Sequence, residues 1–368
     1  MIEDHSPRIL LDDSYATYPH SNGYYDGGAR IALGMAAGAD EIVGVRLDGS
    51  GEPEVLLSAE AIAAESDLPP WSESELARSV PWFDVALDAQ TLVCARDDAL
   101  FVVELAGDRT PRIAHRPADG WALDGLTSVS ADGRTALVSE MRDGVHRALT
   151  VDVRTGATTE IVRHPWFANH FHLVPADESW IGYSHEGAAT QVDDRLWAWN
   201  REDAPDGRRV VDQRALSAQP PAAVALGHER WMFHDTGAVV VAYGESEAGP
   251  RGIYEVFVDG RAPRLVSAGE RDWHCGITRD GRTIVVDTTG PADLPGRGWA
   301  DAGTASSIQL IDAASGERRT IAETGFISHP YHPHPSFTPD GGAVVFNHVE
   351  RDGRGAVIRR GAAIVERG

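Results

Sequence analysis

The feature that most constrains the fold of this chain is a short phrase that recurs along it. An Asp-Gly turn, often preceded by Ser or Thr, is followed by an apolar run rich in β-branched residues, as at Asp132-Gly133 and Asp280-Gly281. Asp-Gly supplies the positive φ that a tight hairpin needs, so each copy predicts two antiparallel strands. Seven copies, some of them degenerate, align on Asp26, Asp88, Asp132, Asp177, Asp235, Asp280 and Asp340.

The spacing of these copies indicates the architecture. Where no loop is inserted they recur about every 45 residues, which is the period of a β-propeller blade. A second hairpin follows most copies, as in residues 149–156 and 253–260, which gives four strands per unit. We therefore predict an all-β, seven-bladed β-propeller with four antiparallel strands per blade, occupying residues 1–368 as one domain. A two-sheet sandwich of hairpins is the alternative, and seven periodic units disfavour it.

The two ends of the chain would complete the ring. Residues 356–359 and 362–365 form β-rich runs after the last copy, and we expect them to meet the N-terminal strand. A short helix is predicted in the long interval after the first unit, at residues 59–65, with Ser58 as its N-cap.

Composition narrows the classes of function. The 368 residues carry a formal net charge of -23, and the sequence contains no lysine. So acidic a chain argues against nucleic acid or an anionic membrane as a partner. Every fixed positive charge is an arginine, which is the better bidentate partner for a carboxylate. A small acidic ligand would therefore have to be met by a local group of arginine, histidine or metal.

Cysteine usage and the terminal residues bear on the compartment. Cys94 and Cys275 lie far apart in strand-like runs, so they make no disulfide framework and fit a reducing compartment. The first residues contain neither a basic nor an apolar segment, and no run of about 18 apolar residues occurs. We expect a soluble protein located in the cytoplasm.

Three histidines, each followed by proline, mark the strongest candidate site. His329, His332 and His334 fall within six residues, and the prolines exclude a helix there. In an extended segment His332 and His334 share a face, whereas His329 joins them only if the backbone bends. Neutral imidazoles that converge suit a divalent metal of intermediate softness. A polar loop with its histidines in water is the alternative, and we predict a metal or catalytic site.

Histidines also recur at one position of the repeat. The residues before each Asp-Gly turn enter the innermost strand of a blade and so lie near the central channel. Structural repeats would place small apolar residues there, yet five of the seven copies carry histidine. These histidines are His20, His170, His172, His228, His274 and the group at 329–334.

A further polar group follows in the fourth unit, where residues 183–187 read YSHEG and residues 194–197 read DRLW. His185 fits an ordinary polar turn equally well, and Arg195 fits an exposed arginine. With residues 227–231 (GHERW) and 332–340 (HPHPSFTPD), these strings resemble the oligogalacturonate lyases, which are cytoplasmic seven-bladed propellers that degrade short pectin fragments. The resemblance is strongest from about Asn169 onward, and the second and third units carry no matching motif.

The resemblance implies roles for individual residues. His274, His332 and His334 fall where the family holds a divalent metal, usually manganese. We therefore expect Mn²⁺ in this chain, with Fe²⁺, Zn²⁺ or Ni²⁺ as alternatives. His329 stands where the family has a glutamine ligand, and this difference leaves both the metal and the sugar open. His228 falls at the position of the Brønsted base, and Arg195 at that of an arginine near the developing charge. The residues expected to contact substrate are His20, His170, His172, His185 and Tyr331.

The function expected from these residues is metal-dependent β-elimination on short uronate-containing oligosaccharides. Galacturonate is the family's sugar, while glucuronate or a substituted uronide stays open. Two alternatives belong to other classes. A four-histidine iron oxygenase would resemble the carotenoid oxygenases, which are longer and spread their ligands over separate blades. A non-catalytic binding propeller of the TolB or WD40 kind would hold no tightly bound metal.

Overall fold

Seven sheets of antiparallel strands form the molecule. The structure is a computed structural model, and it describes residues 6–35, 42–65, 81–96, 99–188, 191–243, 248–288, 304–327 and 329–368. Each sheet is one blade, and its strands follow chain order from the channel outward, except that the first blade has an extra short strand and the seventh has β1 (Arg8–Asp12) as its outermost strand. The seven-bladed all-β propeller predicted from the repeat is confirmed.

The strands are numbered in chain order. The first strand is β1 (Arg8–Asp12); blade one contains β2 (Ser14–Tyr15), β3 (Tyr24–Tyr25), β4 (Arg30–Met35), β5 (Ile42–Arg46) and β6 (Glu54–Leu57); blade two contains β7 (Trp82–Val85), β8 (Thr91–Arg96), β9 (Ala99–Glu104) and β10 (Arg112–His115). Blade three contains β11 (Ala122–Val129), β12 (Thr135–Arg142), β13 (Val145–Asp152) and β14 (Thr158–His164); blade four contains β15 (Ala168–Leu173), β16 (Trp180–His185), β17 (Leu196–Asn200) and β18 (Ala204–Arg209). Blade five contains β19 (Leu226–Trp231), β20 (Gly237–Ala242), β21 (Gly252–Phe257) and β22 (Arg264–Ala268); blade six contains β23 (Asp272–Ile277), β24 (Thr283–Thr288), β25 (Ala305–Asp312) and β26 (Arg318–Gly325); blade seven contains β27 (Ser336–Phe337), β28 (Ala343–Arg351) and β29 (Val357–Glu366).

A short α-helix, α1 (Ala59–Glu65), follows blade one, and the backbone N–H of Ala61 donates to Ser58 Oγ at 3.1 Å as the predicted cap requires. Within the part of the chain that the structure describes, no helix has the length and apolar character that crossing a membrane requires.

In blades two to seven the aligned aspartate lies in the turn between the innermost strand and the next one, and in blade one Asp26 lies between β3 and β4. In blade six, Asp280 accepts hydrogen bonds from the Thr278 hydroxyl (2.7 Å) and from the backbone N–H of Arg282 (3.1 Å). Gly281 then adopts a φ of 73°, a conformation that costs glycine little. The phrase Ser/Thr-x-Asp-Gly therefore recurs because its hydroxyl, carboxylate and glycine together close each turn.

The ring is closed by strands from the two ends of the chain. β1 pairs antiparallel with β29, so the sheet of blade seven has the order β1-β29-β28-β27. Two exposed ion pairs flank this seam, Arg359 with Asp12 at 2.6 Å and Arg360 with Asp13 at 3.0 Å. The predicted meeting of the last strands with the N-terminal strand is confirmed.

The hydrophobic core is divided into layers between neighbouring blades. One layer joins blades four and five around Trp231, whose side chain is fully buried, together with Leu196 and Val240. The indole of Trp231 lies against Gly182 of β16, where an added Cβ would overlap the ring. Because each layer fixes one blade against the next, the inner strands are held around the channel as a rigid set.

Candidate active site

Irregular pairing at the same point of three blades directs histidines out of the sheet. The register shifts between Asn169 and His172 in blade four, and corresponding shifts precede Arg230 in blade five and Cys275 in blade six. The residues released from the ladder include His170, His228 and His274. A bulge of this kind re-aims a side chain and is common next to functional sites.

Backbone strain accompanies these bulges. His170 has a φ of 58° and His228 a φ of 49°, and His334 before β27 has a φ of 45°. A non-glycine residue adopts positive φ at a cost of about 1–2 kcal/mol, so the surrounding structure must impose it. Three strained histidines at the channel end of the inner strands point to a functional reason for their placement.

His274, His332 and His334 converge on one point. Each offers a ring nitrogen, and these three nitrogens all lie within 4.8 Å of one another. All three side chains are buried, and burial is the first cause that lowers the pKa of each imidazole well below its usual 6.5. Among the described residues no hydrogen-bond partner exists for His274 Nε2, His332 Nδ1 or either nitrogen of His334. Neutral, unpartnered imidazoles of this kind fit a divalent cation.

A buried carboxylate orients the first of these ligands. His274 Nδ1 donates to Asp287 Oδ2 at 2.8 Å, and the backbone N–H of His274 donates to Asp287 Oδ1 at 2.5 Å. The pairing holds the proton on Nδ1 and leaves the lone pair of Nε2 free for a cation. Asp287 was not predicted from the sequence. The available signal was one aspartate within the apolar run of β24.

His329 lies at the edge of this group. Its ring centroid is 3.9 Å from that of His332 and 5.2 Å from that of His334, and its side chain is exposed. It is not among the three residues whose ligand atoms all lie within 4.8 Å of one another. The backbone turn needed to bring it to His332 is present, while its role as a fourth ligand stays a prediction.

His228 stands beside the metal-ligand group. Its ring centroid lies 4.2 Å from that of His274, and its Nδ1 donates to the backbone carbonyl of Trp273. Because a carbonyl oxygen only accepts, the neutral ring must carry its proton on Nδ1, which leaves Nε2 as a base. Burial is the first cause that lowers the pKa of His228 well below 6.5, so the ring is neutral at pH 7.

Arg195 is a buried cation with one anionic partner close by. Its side chain is 6% exposed, and its Nη2 donates to Glu186 Oε1 at 2.6 Å. The Arg195 Nε is buried and has no hydrogen-bond partner in the described part of the chain. Glu186 Oε1 also lies 3.4 Å from His170 Nε2, so the carboxylate links Arg195 to the channel histidines.

Tyr18 connects the histidines of the channel and was not predicted. Its ring centroid lies 4.6 Å from His20, 5.1 Å from His170 and 5.1 Å from His334. His172 packs against His20 at 5.1 Å, and its Nδ1 donates to the carbonyl of Leu173 at 2.8 Å. The structure therefore brings together His20 from blade one and His170 and His172 from blade four, beside Tyr18.

Comparison with known proteins identifies the relatives of this chain. The sequence profile of the family described as oligogalacturonate lyase matches residues 140–360. The chain belongs to the oligogalacturonate lyase family. The matched residues include Arg195, His228 and His274 and the group at 329–334, whereas His20 lies outside them.

Two curated relatives, both named as oligogalacturonate or oligogalacturonide lyases, align with part of the chain. The oligogalacturonide lyase of Pectobacterium atrosepticum is 25% identical over 221 residues, which cover 57% of this chain and 54% of that protein. The oligogalacturonate lyase of Dickeya dadantii is 24% identical over 219 residues, with the same coverage of 57% and 54%. The chain thus spans about half the length of these relatives.

Solved structures of oligogalacturonate lyases share the fold. An oligogalacturonate lyase in complex with manganese has a TM-score of 0.74 at 20% identity, covering 98% of this chain and 93% of that one. The oligogalacturonate lyase of Vibrio parahaemolyticus has a TM-score of 0.75 at 16% identity, covering 97% and 92%. A putative TolB from Agrobacterium tumefaciens is less similar, with a TM-score of 0.51 at 14% identity and coverage of 86% and 94%.

In this member of the oligogalacturonate lyase family, two predicted substrate-binding residues are not brought to the histidine group. His185 Nδ1 lies 2.7 Å from Asp194 Oδ1, and its ring packs on Trp166 at 4.3 Å, on the side of blade four that faces blade three. Tyr331 is 3% exposed and packs with Tyr15, and the guanidinium of Arg360 lies 4.5 Å from its ring centroid. Strand alternation accounts for His185, because its neighbour Ser184 is the residue that faces Glu229.

Proposed function

We propose that this chain is a metal-dependent lyase that cleaves short uronate-containing oligosaccharides, with oligogalacturonate the first candidate, by β-elimination. The observation that carries the proposal is the convergence of His274, His332 and His334 as buried imidazoles without partners, with His228 beside them. Membership of the oligogalacturonate lyase family supports the same reaction. The solved relative in complex with manganese makes Mn²⁺ the first candidate for the metal.

Proton removal falls to His228. In β-elimination from a uronate, the C5 proton is removed, the C4–O4 bond breaks with its electron pair leaving on O4, and a C4=C5 double bond forms. His228 accepts the C5 proton on Nε2, while the hydrogen bond from Nδ1 to the Trp273 carbonyl fixes the ring. A neutral imidazole is able to accept a proton at neutral pH, and general-base catalysis contributes typically about 10²–10⁴-fold.

Charge builds up on the uronate carboxylate as the C5 proton leaves. A divalent cation held by His274, His332 and His334 would supply Lewis-acid stabilisation of that charge, worth roughly several kcal/mol. Arg195 adds a fixed positive charge inside a buried site, where it acts more strongly than in water. Its unpartnered Nε is free to donate to a sugar oxygen while Glu186 holds its Nη2.

We also propose a cellular compartment and a class of substrate for the reaction. A cytoplasmic location and a role in the breakdown of pectin fragments are supported by the family and by two buried cysteine thiols, Cys94 and Cys275. A small acidic oligosaccharide is the proposed partner. The overall charge of -23 opposes its approach, so the cations of the channel must draw it in.

The test is an assay of elimination on a panel of galacturonate and glucuronate oligosaccharides with Mn²⁺ present. The expected product is a 4,5-unsaturated sugar, which is detected by its near-ultraviolet absorbance. The variant His228→Ala should lower kcat by about 10²–10⁴-fold while the protein retains its metal. The matched control is His234→Ala, since His234 is exposed in the turn that follows the same strand, β19.

Two results would overturn the proposal. One is the absence of unsaturated product from every member of the panel at full metal loading. The other is unchanged activity of His228→Ala, because removal of the C5 proton is assigned to His228 alone.

A further inference from the structure

A second group of potential metal ligands lies in the channel, and the proposed elimination does not require it as a metal site. His20 of blade one, His170 of blade four and Glu229 of blade five each offer one ligand atom, and these atoms all lie within 4.8 Å of one another. None of the three belongs to the group formed by His274, His332 and His334. The second group therefore joins three blades that the first group does not use.

The polar atoms of this second group lack partners. His20 is 1% exposed, and neither of its ring nitrogens has a hydrogen-bond partner among the described residues. In the same part of the chain His170 Nδ1 and Glu229 Oε2 are also buried and unpartnered. A buried polar group without a partner costs about 1–3 kcal/mol, so four such atoms in one place require an explanation.

Neighbouring side chains hold the three residues in place. Arg230 donates to the backbone carbonyl of His20, and the Ser184 hydroxyl donates to Glu229 Oε1 at 2.9 Å. Glu186 Oε1 lies 3.4 Å from His170 Nε2, which leaves Nδ1 directed to Glu229 at 3.7 Å. Fixed carboxylates and hydroxyls around ligand side chains are typical of metal sites, where they orient the rings.

We propose that His20, His170 and Glu229 form a second divalent-cation site in the channel. Two imidazole nitrogens and one carboxylate oxygen are a ligand set that binds zinc, ferrous iron or manganese and leaves positions open for water or a ligand. One carboxylate on a dication leaves a net charge of +1, which suits an anionic ligand. The site goes beyond the proposed lyase function and replaces the direct substrate contacts expected for His20 and His170.

The second site is close to the first and shares no ligand with it. The ring of Tyr18 contacts both groups, at 4.6 Å from His20 and at 5.1 Å from His334, measured between ring centroids. A simple ion pair between His170 and Glu229 is the competing explanation, but it leaves both nitrogens of His20 unsatisfied.

The experiment counts metal ions. Metal-free full-length protein is titrated with Mn²⁺ or with Zn²⁺ alone, and bound metal is measured by calorimetry and by elemental analysis after desalting. We expect two equivalents for the wild-type chain. Glu229→Gln and His20→Ala should each bind one equivalent, His334→Ala should also bind one, and the double variant His334→Ala with Glu229→Gln should bind none.

Glu229→Gln is the more specific variant, because its amide oxygen can still accept the hydrogen bond from the Ser184 hydroxyl while the carboxylate charge is lost. The control His234→Ala should keep two equivalents. A wild-type stoichiometry of one, or two equivalents retained by Glu229→Gln, would overturn the second site.

If a variant fails to fold, anomalous diffraction from metal-soaked wild-type crystals provides the test. A peak among the three residues supports the site, and its absence refutes it. Unsaturated product in the lyase assay is a separate readout, so failure of one proposal does not imply failure of the other.

Discussion

At the scale of single residues, the centre of the molecule is built from imidazoles kept neutral. Burial lowers the pKa values of His274, His332 and His334, and a neutral ring presents the lone pair that a cation needs. Residue type and recurrence were enough to find these histidines in the sequence. Tyr18 and Glu229 were missed as site residues because their contacts cross between blades, which spacing along the chain does not reveal. Asp287 was missed because its contact with His274 depends on the pairing of β23 with β24.

Asp287→Asn tests how far a residue beyond the metal ligands controls them. The amide would no longer hold the proton of His274 on Nδ1 by a charged hydrogen bond, so ring orientation and basicity would suffer. We expect the affinity of the first site for Mn²⁺ to fall by about 10–100-fold, measured by calorimetry.

Asp280→Asn is the control for this prediction, because Asp280 is exposed in the turn of the same hairpin and contacts no histidine of the site. Equal Mn²⁺ affinities for the wild type and Asp287→Asn would show that the carboxylate does not tune the ligand.

At the scale of strands and turns, regular features were predictable and irregular ones were not. The Asp-Gly turns follow from local chemistry, since three or four neighbouring residues close each of them. The bulges that re-aim His170, His228 and His274 depend on the partner strand as well. Alternation along a strand would place these three residues incorrectly, whereas it does account for His185, whose neighbour Ser184 faces Glu229.

The end of β14 provides a pH-dependent contact between blades three and four. His164 Nε2 lies 2.9 Å from the Tyr183 hydroxyl, and its ring stacks on Trp166 at 3.9 Å. Burial, followed by the charge of His185, lowers the pKa of His164 to about 4. Between pH 6.5 and 4 the unfolded chain therefore binds more protons at this residue, and stability falls as the pH falls.

His164→Phe should remove this dependence. The free energy of unfolding, measured in urea at pH 7 and at pH 4.5, should fall with acid by roughly 1–3 kcal/mol more in the wild type than in the variant. An equal loss in both proteins would mean that His164 does not titrate as proposed.

At the scale of the whole molecule, the seven blades and their closure were predictable because a repeat period survives in the sequence. The order of blades then determines which distant residues meet, as when His20 approaches His170 and Glu229. The ring is held at one seam, the pairing of β1 with β29, which makes both ends of the described chain part of a single sheet. His332 and His334 are neighbours in the sequence, but their approach to His274 follows from this geometry.

Removal of residues 1–12 tests the seam. The deletion would leave the outer edge of β29 without a partner, and we expect the free energy of unfolding to fall by roughly 3 kcal/mol or more. The comparison is Asp12→Asn, which removes only an exposed ion pair with Arg359 and should cost less than about 0.5 kcal/mol. Indistinguishable melting temperatures for the deletion and the wild type would contradict a structural role for β1.

The seam also has a consequence for biosynthesis. Of the described strands, β1 is synthesised first and its partner β29 (Val357–Glu366) last. β1 must therefore stay unpaired until all the other described strands have been synthesised. A truncated product that lacks β29 would carry every histidine discussed above and still be unable to complete its ring.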